Sequence, residues 1–169
     1  MEATGIRMTR AWQGLDDRLA RGVVAGLAAG LIFLLLNMAW ATKNDLPGVA
    51  PLIDIATIFN VSDKPDPTPE NMAIGLVTHL TLSMLFGMGF ALALPWLSEV
   101  RALVGGAVAF GVGLYLFNFQ VLGRTVFPWF QEGPDQTFEL FAHAAFGLLL
   151  VPFFLGMHRR LQAGTGEPY

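Results

Sequence analysis

Apolar residues run almost unbroken through four stretches, about 22–41, 72–94, 102–122 and 138–157, parted by polar and proline-rich segments. Each is close to the ~20 residues a helix needs to cross a hydrocarbon core about 30 Å thick. None alternates with the period of two that marks a strand. In lipid, only helices and closed barrels satisfy their own backbone N–H and C=O groups. The pattern predicts an all-α membrane protein, a four-helix transmembrane bundle in which residues 1–169 form a single membrane domain. Residues 1–20 are too polar to insert and are expected to be cytoplasmic or interfacial, with Thr9–Leu19 a short helix lying Trp12 and Leu15 down. The connecting outer loops are then 42–71 and 123–137.

The four runs read as two copies of one hairpin. Arg21 opens Arg-Gly-Val-Val-Ala-Gly and Arg101 opens Arg-Ala-Leu-Val-Gly-Gly. Each starts an apolar helix that reaches an asparagine, Asn37 or Asn118, near its far end. The second helix of each copy starts with Pro69-Glu70-Asn71 or Pro134-Asp135-Gln136, and His79 or His143 follows nine or ten residues after the proline. This register puts the two histidines at matching depth. Thr68 is expected to cap the second helix with Pro69 at its first position, and Gly133 and Pro134 to do the same for the fourth. Glu70 and Asp135 then sit where a helix N-terminus favours negative charge.

In the first outer loop, Asp63-Lys64-Pro65-Asp66-Pro67-Thr68 cannot be helical, because each proline restricts itself and its predecessor. Leu52–Phe59 is apolar enough for a short helix against the bundle or the membrane. In the second, Val126-Phe127-Pro128-Trp129-Phe130 reads as an interfacial anchor or a surface for a partner. Pro95–Arg101 is a short turn. Arg7, Arg10, Arg18, Arg21, Arg101, Arg159 and Arg160 fall on one side of the predicted bilayer, and only Lys43, Lys64 and Arg124 on the other. The positive-inside rule therefore predicts a multi-pass protein of a bacterial inner membrane with N and C termini cytoplasmic. Trp40 and Trp129 would lie at the outer interface and Trp96 at the inner one.

Composition narrows the function. Hydrophobic residues make up 54% and charged residues 14%, too apolar for a soluble domain of this length. The absence of cysteine excludes disulfides and thiolate-held metals or clusters within the chain. A net charge of −3 argues against nucleic acid as a partner. Ala39-Trp40-Ala41 resembles a signal-cleavage site, but the apolar run before it exceeds a signal peptide's 7–15 residues, so the first helix is expected to stay.

Two features carry candidate chemistry. The first is small-residue stripes: Gly22, Gly26 and Gly30 on the first helix, Gly75 and Gly87 on the second, Gly105, Gly106, Gly111 and Gly113 on the third, Gly147 on the fourth. Such stripes let helices approach closely in lipid, where packing drives association. Packing is their first reading, and room for a flat cofactor the second. The other feature is a polar cluster in one leaflet: Asn37, Asn118, His79 and His143, with Thr78, Ser83, Gln120 and Glu139 nearby. Polar groups in lipid normally pair with one another across the bundle, so the plain reading is a His79–Asn, His143–Asn network joining the repeats. The sharper reading is ligation. Facing imidazoles on diagonal helices leave room for a bis-histidine haem b, with Arg124 on a propionate. Metal ligation by the two histidines, copper with Met38 included, and a quinone head group on either histidine are further options. His158, beside Arg159 and Arg160, reads as a helix-end cation.

Gly113-Leu114-Tyr115-Leu116-Phe117-Asn118-Phe119, Phe127-Pro128-Trp129-Phe130 and Ala142-His143-Ala144-Ala145-Phe146-Gly147, extended by His79-Leu80-Thr81-Leu82-Ser83 and Gly87, resemble a family of small bacterial four-helix integral membrane proteins of uncharacterised function. The resemblance spans about two thirds of the chain. Here Phe130 leads into Gln131-Glu132-Gly133-Pro134, more acidic than that family's pattern.

No Ser-His-Asp arrangement, phosphate-binding loop or His-Glu-x-x-His pair is present, so an enzyme acting alone is not expected. The leading expectation is a non-catalytic integral membrane subunit or scaffold. It would pack in the lipid bilayer against other membrane chains or against itself, as an accessory subunit of a respiratory or photosynthetic complex. The alternatives are a small electron-transfer protein binding haem b or quinone through His79 and His143, and a conductor of small solutes or metal ions.

Overall fold

The structure is a computed structural model that describes residues 14–60, 65–97 and 99–157. It is built of helices: α1 (Leu15–Lys43), α2 (Ala50–Asn60), α3 (Pro69–Ala93), α4 (Val100–Tyr115), α5 (Trp129–Glu132) and α6 (Gln136–Phe154). A short 3₁₀ turn (Leu94–Trp96) follows α3, and α4 runs on through a π-helical segment (Leu116–Leu122) to a last turn at Gly123–Thr125. Four helices are long and apolar enough to cross a membrane: Leu15–Lys43, Pro69–Trp96, Val100–Thr125 and Gln136–Phe154. The protein is thus an all-helical, multi-pass membrane protein.

Helix starts follow local chemistry. Thr68 caps α3 by accepting from the Asn71 backbone N–H at 3.3 Å, with Pro69 in the first turn. At α6 the expectation of Gly133 and Pro134 is corrected. Asp135 is the cap, its Oδ1 accepting from the N–H groups of Thr137 and Phe138 at 2.9 Å each. A carboxylate can serve two of a helix's orphan N–H groups, which glycine cannot. Leu15–Leu19, the described part of the expected interfacial helix, belongs to α1, which is continuous for 29 residues from Leu15. Thr9–Gln13, Arg7, Arg10, Lys64, His158, Arg159 and Arg160 lie outside the described residues.

Within each hairpin the helices touch backbone to backbone. A Cβ on Gly26 would collide with the Ser83 carbonyl, and one on Gly87 with the Gly22 carbonyl. In the second hairpin the same crossing is made by Gly111 against the His143 carbonyl and Gly147 against the Ala107 carbonyl. Gly22 and Gly30 complete the first contact, against Gly87 and the Ser83 side chain. Gly113 does not join the packing: nothing lies within 4 Å of where its Cβ would stand, and Gly111, two residues earlier, faces α6 instead. The atoms nearest to a Cβ on Gly106 belong to the Leu97 side chain. Gly75 receives α2, whose Leu52 carbonyl lies where a Cβ would be.

The hairpins join chiefly along α1 and α6. Toward the end bearing the chain termini the junction is filled by Phe90, Leu94, Leu103, Ala107, Leu150 and Phe154, all at or near zero exposure. Phe90 bridges the hairpins, its ring 5.4 Å from Phe110 and 5.6 Å from Phe154. At the other end, that of α2 and α5, the hairpins part.

Candidate functional site

Where they part lies a cavity of about 700 Å³, within the ~300–1,000 Å³ common for small-molecule sites. Phe33, Phe86 and Phe146 stand at its deep end, and Asn37, Asn118, Phe119, His79, His143 and Glu139 line it nearer the roof. Its roof is built from both loops. α2 brings Asp54, Ile55 and Ile58, and the second loop brings Phe127, Phe130 and Glu132. Trp129 ties the two parts of the roof together, its indole N–H donating to Thr57 Oγ1 at 2.9 Å. Trp129 is therefore engaged with α2 and is no free anchor. Trp40, at the rim, stacks on Phe138 with centroids 4.4 Å apart.

The expected His–Asn pairs do not form. His79 Nε2–H donates to the Gly30 carbonyl at 2.8 Å, across the α1–α3 contact that bare glycine makes possible. His143 Nδ1–H donates to the Glu139 carbonyl one turn back at 2.8 Å, and the Glu139 carboxylate Oε2 lies 3.4 Å from the same nitrogen. Asn37 Nδ2 donates to the Phe33 carbonyl at 3.1 Å. Each polar side chain satisfies itself on a nearby carbonyl, which is closer than any partner across the cavity. Asn37, His79, Glu139 and His143 are nonetheless all at least nine-tenths buried.

The depths of the histidines also differ. Measured from the glycine crossings, Ser83 on α3 holds the place that His143 holds on α6, and His79 the place of Glu139. His79 is thus one turn, about 6 Å, nearer the α2 end of its hairpin than His143 is of its own. The register that aligns Arg21 with Arg101 is not the register in which the helices pack.

Haem does not fit between the two rings. The Phe33 ring lies against both, 5.9 Å from His79 and 4.9 Å from His143 between centroids, in the space a macrocycle would need. His79 Nε2 is held by Gly30. Arg124, the expected propionate partner, is not in the cavity wall and donates to Gln120 Oε1 at 2.6 Å on the exposed side. Among the described residues no group of three or more His, Cys, Asp or Glu is placed to hold a metal ion.

Three features escape the periodicity argument. The π segment widens the end of α4 where Asn118 and Phe119 enter the wall, and Gln131 donates its side-chain N–H to the freed Phe119 carbonyl. Such π turns recur at functional sites, but seven apolar and amide residues give no sequence cue for one. Gln136 organises the rim, donating to the Phe130 carbonyl at 2.8 Å and accepting from Tyr115 Oη at 3.2 Å. Asp54, which reads only as part of a loop helix, opens onto the cavity. The protein around it and the Glu139 carboxylate push its carboxyl up to about 6. No family model, characterised protein or solved structure matches the chain.

Proposed function

We propose that the protein is a non-catalytic integral membrane protein that holds an amphipathic small molecule in the cavity between its two hairpins. The cavity carries this reading. A purely structural scaffold gains nothing from an aromatic chamber of about 700 Å³ whose buried polar side chains face inward. Ser83 Oγ lies 3.5 Å from His79 Nε2 in the wall, but that nitrogen gives its N–H to Gly30 and the hydroxyl donates to the His79 carbonyl, so the imidazole is not placed to activate it, which favours binding over chemistry. The bias of basic residues toward the terminal end supports cytoplasmic termini and a cavity opening on the outer side of a bacterial inner membrane. The shared glycine–carbonyl crossing supports two hairpins of common origin in parallel relation.

The test is native mass spectrometry of protein released from its own membranes, comparing wild type with Leu82→Trp, which fills the chamber from its α3 wall. The reading expects a bound small molecule on the wild type that is missing from the variant. Protein free of small molecules, or carrying the same one in both, contradicts it.

The subunit reading keeps one observation of its own. Gly105, Ala109 and Gly113 form an exposed line at four-residue spacing on α4, with open space beside both glycines. This is the pattern lipid-embedded helices use to associate. Since the chain has no cysteine, an Ala109→Cys variant that crosslinks to a second copy or to another membrane chain would support it. A variant recovered only as uncrosslinked protein would set it aside.

A further inference from the structure

The cavity's polar atoms are not balanced between donors and acceptors. In a neutral imidazole one ring nitrogen donates and the other accepts. His79 spends its N–H on the Gly30 carbonyl and His143 spends its own on the Glu139 carbonyl. Each is left with an accepting nitrogen. Asn37 spends one of its two amide N–H groups on the Phe33 carbonyl, leaving the other and its Oδ1. Glu139 and Asp54 add ionisable carboxyl groups. The polar ends of the chamber therefore offer lone pairs. N–H groups also remain in the wall, on Asn37, Asn44, Asn118 and the Trp40 indole, but they are outnumbered by lone pairs.

Charge points the same way. Asp54, Glu132, Asp135 and Glu139 line the cavity, and among the described residues no lysine or arginine does. Phe33, Phe86 and Phe146 also line the cavity, and aromatic rings attract cations as well as apolar bodies. A cavity with the buried Glu139, two imidazole lone pairs, three more exposed acids and phenylalanine at its deep end is a poor host for an anion. It complements a group with several N–H donors and a positive charge.

We infer that the ligand of this cavity is a protonated amine with an aromatic or apolar body, its ammonium group donating toward Glu139, Asp54 and the free imidazole nitrogen of His143. The inference rests on the ligand-binding reading and gives it a substrate class. It disfavours an anionic head group, which would meet the carboxylates.

The experiment is calorimetric titration of the protein in lipid nanodiscs with 1-naphthylmethylamine, its N,N,N-trimethyl analogue and 1-naphthylacetate. All share one apolar body and differ in head group. The expected result is saturable binding of the amine. The trimethyl analogue, charged but without N–H, should bind less tightly, and the anion weakest of all. Glu139→Gln and Asp54→Asn should each weaken the amine by about tenfold or more and leave the thermal unfolding midpoint of the protein near the wild type. Equal binding of amine and anion, or amine binding indifferent to both variants, overturns the head-group inference while leaving a ligand cavity in place. Absence of binding by all three, together with no small molecule in the native preparation, overturns the cavity reading itself.

Discussion

At the crossings of Gly22 and Gly26 with Gly87, and of Gly111 with Gly147, helix backbones meet directly, and toward the terminal end beyond them Phe90, Leu103, Leu150 and Phe154 fill the junction, with the Arg18 side chain buried at the same end of α1. One to two turns toward α2, the same four spans separate around Phe33, Asn37, His79 and His143. The difference lies in residue size and in where polar groups find partners. Glycine on both sides of a crossing closes it to backbone distance. Phenylalanine and histidine at the next positions hold the hairpins apart, and the imidazole N–H groups turn to carbonyls of their own hairpin, Gly30 on α1 and Glu139 one turn back, instead of bridging between hairpins. A membrane bundle can in this way carry a rigid half and a binding half without a separate domain for either.

The comparison breaks most severely at the crossings. Leucine at Gly87 or at Gly147 must push the partner backbone away, and each variant should lose about 3 kcal/mol, the upper end for overpacking. Denaturant unfolding in mixed micelles measures it, and a loss below 1 kcal/mol would mean the backbones are not in contact. Leu150→Ala, in the filled half, should cost about 2 kcal/mol. That is the lower end for a buried leucine, because lipid removes most of the transfer term and leaves the lost packing. Leu82→Ala at the cavity wall, measured alongside, should cost clearly less.

In the open half the sharpest handle is pH. The Asp54 carboxyl stands at about 6, raised by burial and by Glu139. The other titratable groups around the same space are His79 on α3, His143 on α6, Asp135 at the head of α6 and Glu132 on α5. A raised carboxylate pKa means that Asp54 is largely neutral at pH 5 and ionised at pH 7.5. Binding of 1-naphthylmethylamine should therefore strengthen as pH rises through 6, by up to roughly tenfold, and release protons near the midpoint. Asp54→Asn should flatten that rise, and an undiminished rise in this variant would place the titration elsewhere. Trp129→Phe removes the hydrogen bond that closes the roof and should cost about 1 kcal/mol, with faster exchange of the α2 amides. Gly113→Ala should change stability by less than ~0.5 kcal/mol, unless a second chain covers that face.

Much of this was legible in the sequence because lipid imposes long apolar runs and because proline and threonine mark helix starts: the four spans, the α2 helix and the Thr68 cap follow from that. The buried face of α3, with Gly75, His79, Ser83 and Gly87, follows from four-residue spacing. What failed has a common cause. Partner choice for a buried polar side chain is decided over a few ångströms, and spacing cannot tell the Gly30 carbonyl from Asn37 as the partner of His79. The repeat register went astray in the same way. Arg21 and Arg101 mark where helices enter the bilayer, whereas packing register is set by the glycines that touch. The π segment and Asp54's place in the roof depend on the loops folding over the cavity, which no single helix encodes.

The claim on which the account stands is that water-soluble molecules reach the space between the hairpins at one end and are excluded at the other. In this cysteine-free chain, Asn37→Cys and Leu150→Cys can be compared directly for their rates of reaction with a small cationic methanethiosulfonate in membranes. The account predicts that the cysteine at 37 reacts, that 1-naphthylmethylamine slows it, and that the cysteine at 150 stays inert until the protein is unfolded. Equal inertness at both positions would mean that the bundle is solid throughout and that no ligand chamber exists.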